Sequence, residues 1–237
     1  MDIIPVIDLM QGQVVRARRG DRQHYRPIES GLCPGTSAPL EVVRALLELY
    51  PFNRLYIADL DAIRCGEPHL QIVHDIRMHH PELEIWLDAG CCTPAAVDRW
   101  HGMGIRHVIG SENLSSTAQL HALRQHLDTA TSILSLDYAS TGPIGPPEIF
   151  EDATLWPATV IAMTLARVGS ESGPDIATLQ SLKNRASARQ LIAAGGVRTL
   201  DDLRTLADMQ IGGILIASAL HDGHLTRPDI ERLQTGA

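Results

Sequence analysis

A chain of 237 residues, 44% hydrophobic and 20% charged, is long enough for one large core and has no linker-like stretch to divide it, so a single domain over residues 1–237 is expected. Acidic residues outnumber basic ones by 28 to 20 for a net charge of -8, and apart from Arg16, Arg18 and Arg19 the basic side chains are scattered, which argues against a nucleic-acid surface. No apolar run approaches the roughly 20 residues of a membrane span, and the opening MDIIPVID lacks the basic and apolar regions of a signal peptide, so the expectation is a cytosolic protein that meets no membrane.

The first strand-like run is IIPVID (3–8), ending in Asp8. A stretch rich in Arg, Gly, Pro and Ser (18–37) follows and reads as an enlarged loop able to serve as a lid. PLEVVRALLELY (39–50) then places Leu40, Val43, Leu46 and Leu47 at helical spacing. Further apolar runs stand at LYIAD (55–59), LEIWLD (83–88), HVIG (107–110), SILSLD (132–137), TVIAMT (159–164), QLIAAG (190–195) and GILIAS (213–218), most of them separated by helix-period stretches such as TLDDLRTLADM. PPEIFEDATLW (146–156) is the least helix-like of the separators. Eight strands alternating with helices predict an α/β fold with a parallel sheet, the (β/α)8 TIM barrel.

The two halves match each other, which predicts a barrel built from two duplicated half-barrels. Asp8 matches Asp137 at an offset of 129, Leu55 matches Val160 at 105, Gly90 matches Gly195 at 105, and Gly110-Ser111 match Ala217-Ser218 at 107. The excess at the first strand falls in the loop at 18–37. Equivalent strand ends then face one another across the mouth of the barrel.

In such barrels the working face is the C-terminal end of the strands. Asp8 and Asp137 both end strands there and are the candidate acid and base, provided their surroundings keep one protonated while the other is ionised. A loop-capping aspartate is the plain alternative for either one. The turns holding Gly90, Gly110-Ser111, Gly195-Gly196 and Ala217-Ser218 each precede a helix. Small residues there let backbone N–H groups approach a phosphate, and four turns in two pairs predict a small-molecule substrate with two phosphate groups. His79-His80 and His221/His224 have no companion ligands at metal spacing, so surface or loop histidines are expected and no metal or organic cofactor is called for. Cys91 and Cys92 cannot form an unstrained disulfide with each other and read as small buried filler.

Residue by residue, the chain resembles the histidine-biosynthesis barrel family (HisA/HisF-like), most of all its isomerase branch. IIPVIDLMQGQVVRARRGD is similar to that branch's first strand and loop through Asp8, Gly12, Arg16 and Gly20, and LYIADLDAIRCGEP to its second-strand motif through Asp59 and Leu60. SILSLD supplies the fifth-strand aspartate, while IAAGGVRTLDDL and GGILIASAL match the last two phosphate turns. The resemblance implies Asp8 and Asp137 as the acid/base pair of an Amadori-type aldose–ketose isomerisation of a phosphorylated aminosugar. Asp8 would abstract the proton, Asp137 would donate one, and Arg16, Asp59, Thr164 and Arg167 would lie near the substrate.

The chain departs from the family pattern in three places. Gly-Gly-Gly-Ile-Arg of the third-strand turn is Asp88-Ala89-Gly90-Cys91-Cys92 here, Met163 to Gly169 lack both sixth-strand aspartates, and Gly-Lys-Ala-Leu is Ala217-Ser218-Ala219-Leu220. Isomerisation of the family's own substrate is therefore expected to be weak or absent. Two other readings stay open: a paralogue with Schiff-base or aldol-type chemistry in another cofactor or one-carbon pathway, and a non-catalytic barrel that binds a phosphorylated ligand. An oligomer is compatible with the sequence.

Overall fold

The computed structural model describes residues 1–17, 21–127, 132–170 and 172–235; Arg18, Arg19 and Gly20, named above, lie outside the described residues. Eight parallel strands form the barrel: β1 (Asp2–Met10), β2 (Arg54–Asp59), β3 (Glu84–Asp88), β4 (Arg106–Gly110), β5 (Ser132–Ala139), β6 (Thr159–Thr164), β7 (Gln190–Ala194) and β8 (Gly213–Ile216). Each pairs with the next, and β8 pairs back with β1 through Asp2↔Gly213 to Pro5↔Ile216, so the sheet closes. Helices α1 (Pro39–Leu49), α2 (Leu60–Cys65), α3 (Leu70–His79), α4 (Pro94–Asp98), α5 (Thr117–His126), α6 (Pro147–Glu151), α7 (Ile176–Ala186), α8 (Leu200–Asp208), α9 (Ser218–His221) and α10 (Arg227–Thr235) follow the strands. Among the described residues, no helix is long and apolar enough to cross a membrane.

Strand alternation divides the side chains into two cores. Ile7, Leu9, Leu55, Ile57, Ile85, Leu87, Leu134 and Leu136 point outward under the helices. Ile4, Tyr56, Ala58, Trp86, Val108, Ile133, Ile161, Ile192, Ala194 and Leu215 fill the interior. The same alternation carries Asp8, Asp88 and Asp137 to the inside, near the C-terminal ends of their strands. At the opposite end Trp86, with 0% exposure, is flanked by the guanidinium groups of Arg54 and Arg106, 5.7 and 5.3 Å from the ring centroid. Glu84 ties this floor together, accepting hydrogen bonds from Trp86 Nε1 at 3.1 Å, Arg54 Nε at 2.9 Å and Arg106 at 3.0 Å.

Two features were not read from the sequence. β1 and β5 each fold back through a two-residue turn, Gln11-Gly12 and Ser140-Thr141, into a short antiparallel strand, Gln13–Arg16 and Gly142–Ile144. In these hairpins Asp8 is paired with Val15 and Asp137 with Ile144, the same separation in both halves. The second feature concerns register. The inward pairs Trp86/Asp88 and Ile192/Ala194 match at an offset of 106, not 105, so Gly90 is equivalent to Gly196 and Asp88 to Ala194.

The weak separator at 146–156 folds as the single turn α6 followed by a 3-10 turn (Ala153–Leu155). Prolines at 146 and 147 start a helix but leave little length for it.

Candidate active site

A cavity of about 410 Å³ opens at the C-terminal ends of the strands, and its wall includes Asp8, Asp88, Asp137, Glu112, Arg16 and Arg22. Asp137 is 4% exposed. Its Oδ1 accepts a hydrogen bond from Ser135 Oγ at 2.6 Å, and its Oδ2 accepts one from the Glu112 N–H at 3.0 Å. Ser111 Oγ lies 3.2 Å from Oδ2 but only 2.7 Å from Ile144 O, and the nearer acceptor takes its single proton. Asp8 keeps a partly exposed edge toward the cavity, and among the described residues nothing donates a hydrogen bond to its carboxyl group.

Burial in the barrel pushes Asp137 up to about 7, against the Ser135 and Glu112 donors, with neighbouring Asp88 adding to the rise. Burial likewise pushes Asp8 up to about 7, with Arg22 opposing and Asp88 reinforcing. Asp88 rises to about 6, again chiefly through burial, although its Oδ1 accepts the Gly90 N–H at 3.1 Å and its Oδ2 the Tyr56 hydroxyl at 3.2 Å. Two facing carboxyl groups that titrate near neutrality can exchange roles as acid and base.

The loop after the first hairpin brings Arg22 over these acids. Arg22 donates to Glu112 at 2.5 Å, and Tyr25 and Ile28 of the same loop also wall the cavity. Across the mouth, Gly195 and Gly196 adopt φ of +101° and +88°. A Cβ on Gly195 would lie 2.6 Å from Thr164 O, and one on Gly196 would collide with the Gly173 carbonyl, so only glycine fits either position. The N–H groups of Gly196 and Ser218 make no hydrogen bond among the described residues, and both residues line the cavity.

A profile of the family described as "Histidine biosynthesis protein" matches residues 2–226. The chain belongs to the histidine biosynthesis family. It is 31% identical to a phosphoribosyl imidazole-4-carboxamide isomerase of Roseiflexus sp. (strain RS-1), over 97% of this chain and 98% of that protein. It is 27% identical to the isomerase of the same name from Leuconostoc mesenteroides, over 98% and 99% of the two chains.

Within this histidine biosynthesis barrel, the residues expected at the site divide. Asp8, Asp137, Arg16, Gly195, Gly196, Ala217 and Ser218 line the cavity. Arg16 is held there by Asp222, its NH1 donating at 3.0 Å. Asp59 does not reach the cavity. Fully buried, it accepts the N–H groups of Ala62 at 3.1 Å and His69 at 2.7 Å and pairs with His69 Nδ1, whose Nε2 accepts the Gly12 N–H at 3.0 Å. It braces the first hairpin. Thr164 faces outward, one residue past the inward Met163, and Arg167 bonds to Ser172 O and Gly173 O at 3.0 and 2.9 Å.

Gly90, Gly110 and Ser111, expected at an anion cradle, are not among the residues that line this cavity. The Gly90 N–H and the Ser111 hydroxyl are already used by Asp88 and Ile144 O, and Gly110 is small because a Cβ would lie 3.2 Å from Asp137 Oδ2 and 3.7 Å from Asp88 Oδ2. His221, expected at the surface or in a loop, is 1% exposed, lines the cavity and bonds through Nδ1 to Ser30 Oγ at 2.9 Å. Its Nε2 has no partner among the described residues, and burial followed by Arg16 lowers it to about 4, so the ring is neutral. Cys91 is buried and pushed up to about 12 by that burial, an unreactive thiol.

Sequence reasoning missed Arg22, Glu112, Tyr56 and Ser135. Tyr56 and Ser135 were within reach of it, since each lies two residues before an inward position, Ala58 and Asp137.

Proposed function

We propose that this chain is an aldose–ketose isomerase of a phosphorylated aminosugar, the reaction class named for its relatives, with Asp8 and Asp137 as acid and base. The observation that carries the reading is the placement of both carboxyl groups, each raised toward neutrality, in one cavity beside a glycine-lined turn whose Gly196 and Ser218 N–H groups are unused among the described residues. A phosphate fits at Gly195, Gly196, Ala217 and Ser218, beside backbone donors and the neutral His221 ring, with the nearby Asp222 carboxylate paired to Arg16.

Both carboxyl groups are raised to about 7, and the hydrogen bonds from Ser135 and Glu112, which have no counterpart at Asp8 among the described residues, are the ground for writing Asp137 as the ionised partner and Asp8 as the protonated one. Asp8 gives that proton to the ring oxygen as the C1–O bond breaks, and the nitrogen lone pair forms the C1=N bond of a protonated Schiff base. Asp137 then takes the C2 proton; the C–H electrons form C1=C2, and the C=N pair returns to nitrogen. Tautomerisation of the resulting enol gives the aminoketose. This order reverses the one that the family resemblance implies.

Amadori turnover of N-substituted aminoaldose phosphates, carrying one phosphate or two, tests the reading, and histidine-independent growth of an isomerase-deficient strain shows whether the substrate named for the relatives is among them. Asp8→Asn and Asp137→Asn should each lower kcat by about 10²–10⁴ while leaving phosphate binding intact. Asp137→Asn should also abolish exchange of the C2 hydrogen of recovered aldose with solvent deuterium. Unchanged turnover in either Asn variant would show that the pair is not the acid and base, and deuterium uptake that survives in Asp137→Asn would return the base to Asp8.

A further inference from the structure

The two rims of the cavity descend from one half-barrel unit, so their groups can be compared position by position. On the β7/β8 rim the inward residue is Ala194, the turn glycine is Gly196, and Ser218 is followed by Ala219. On the β3/β4 rim the equivalents are Asp88, Gly90, and Ser111 followed by Glu112. The donors differ as much as the charges. The N–H groups of Gly196 and Ser218 are unused among the described residues; at the equivalent positions the Gly90 N–H is bound to Asp88, the Ser111 N–H is likewise unused among the described residues, and the Glu112 N–H beside it is bound to Asp137.

Two backbone donors of the β3/β4 rim, the N–H groups of Gly90 and Glu112, thus already serve protein carboxylates. What faces the ligand there is acceptor-rich: Asp88 and Glu112 line the cavity together with Asp8 and Asp137. Among the described residues Arg22 is the cation nearest this rim, and it is paired with Glu112 at 2.5 Å. A second phosphate would enter against two rim carboxylates in a poorly solvated cavity, where like charges repel far more than in water.

We infer that the ligand carries one phosphate, bound at the β7/β8 rim, and presents to Asp88 and Glu112 a cationic or hydrogen-bond-donating group, an amine or a set of hydroxyls, instead of a second phosphate. The inference rests on the phosphate reading of Gly195, Gly196, Ala217 and Ser218 given above. It narrows the substrate class to aminosugar monophosphates and separates this chain from a barrel that holds its substrate by two phosphates.

Three sugars with a common ring test it by calorimetry at pH 7: glucosamine 6-phosphate, glucose 6-phosphate and glucose 1,6-bisphosphate, with inorganic phosphate to count sites. One phosphate per chain is expected, with the amine binding roughly tenfold tighter than the neutral sugar and the bisphosphate roughly tenfold weaker. Asp88→Asn keeps the shape and the Tyr56 and Gly90 neighbours, and it should bring the three within about threefold. Two phosphates per chain, or a bisphosphate that binds tightest to the unaltered protein, would overturn the inference. Failure of phosphate and all three sugars to bind, or binding left unchanged by Gly196→Ala in a folded protein, would instead overturn the phosphate reading beneath it.

Discussion

The β7/β8 and β3/β4 rims have the same backbone plan and opposite chemistry. At both, a strand ends on an inward side chain, a glycine with positive φ turns the chain, and a serine begins the next short segment. Placing a carboxylate where the equivalent residue is alanine, Asp88 for Ala194 and Glu112 for Ala219, adds two acceptors to the β3/β4 rim and occupies the Gly90 N–H, whose counterpart at Gly196 is unused among the described residues. Duplication fixes where a pocket lies, while the residue just before the turn fixes the charge that it accepts.

The sharpest way to break the contrast is to move a carboxylate across. Ala194→Asp should weaken phosphate binding by about 100-fold or more, because the new side chain competes for the Gly196 N–H and repels the anion. Calorimetric titration with phosphate reads the change, and near-unaltered affinity would show that the β7/β8 rim is not the anion site.

A smaller effect is expected in stability. Folding raises the Asp88 pKa from 3.8 to about 6, so the native state holds a proton that the unfolded chain has lost between those values. The stability tied to this proton is complete below about pH 4 and is lost as pH rises through about 6. Asp88→Asn has no such proton to lose. Relative to the unaltered protein it should gain on the order of 2 kcal/mol between pH 4 and pH 8. Urea unfolding at the two pH values gives the difference, and an equal offset at both would remove Asp88 titration as its source.

The smallest effect belongs to the loop that closes over the acids. Arg22 lowers Asp8 and Asp88, so Arg22→Gln should shift upward the limb of the pH–rate profile set by Asp8. Loss of the partly exposed ion pair with Glu112 should cost less than about 1 kcal/mol in stability. A profile that does not move would place Arg22 outside the electrostatics of the pair.

All eight strands were legible as apolar runs because their outward faces are continuous Ile, Leu and Val under the helices. Asp8 and Asp137 were legible because each ends such a run on the inward side. Asp59 and Thr164 were misjudged by one step of the alternation: Ala58 and Met163 face in, so the next residues face out, and parity counted from Tyr56 or Ile161 would have placed them. The hairpins after β1 and β5 were missed because Gln11-Gly12 and Ser140-Thr141 are not flanked by a second apolar run. The use of the Gly90 N–H by Asp88 had no sequence signal beyond the unusual aspartate, since spacing shows where a donor lies and not which acceptor claims it.

The floor beneath the cavity has a kinetic consequence. Trp86, Ile4, Ile133, Ile161 and Ile192 are each 0% exposed and span the interior, with Arg54, Arg106 and Glu84 locked around the indole below them. Nothing the size of a sugar phosphate passes through that layer, so the mouth under the Arg22 loop is both entrance and exit. Product must vacate it before the next substrate arrives, which makes product a competitive inhibitor.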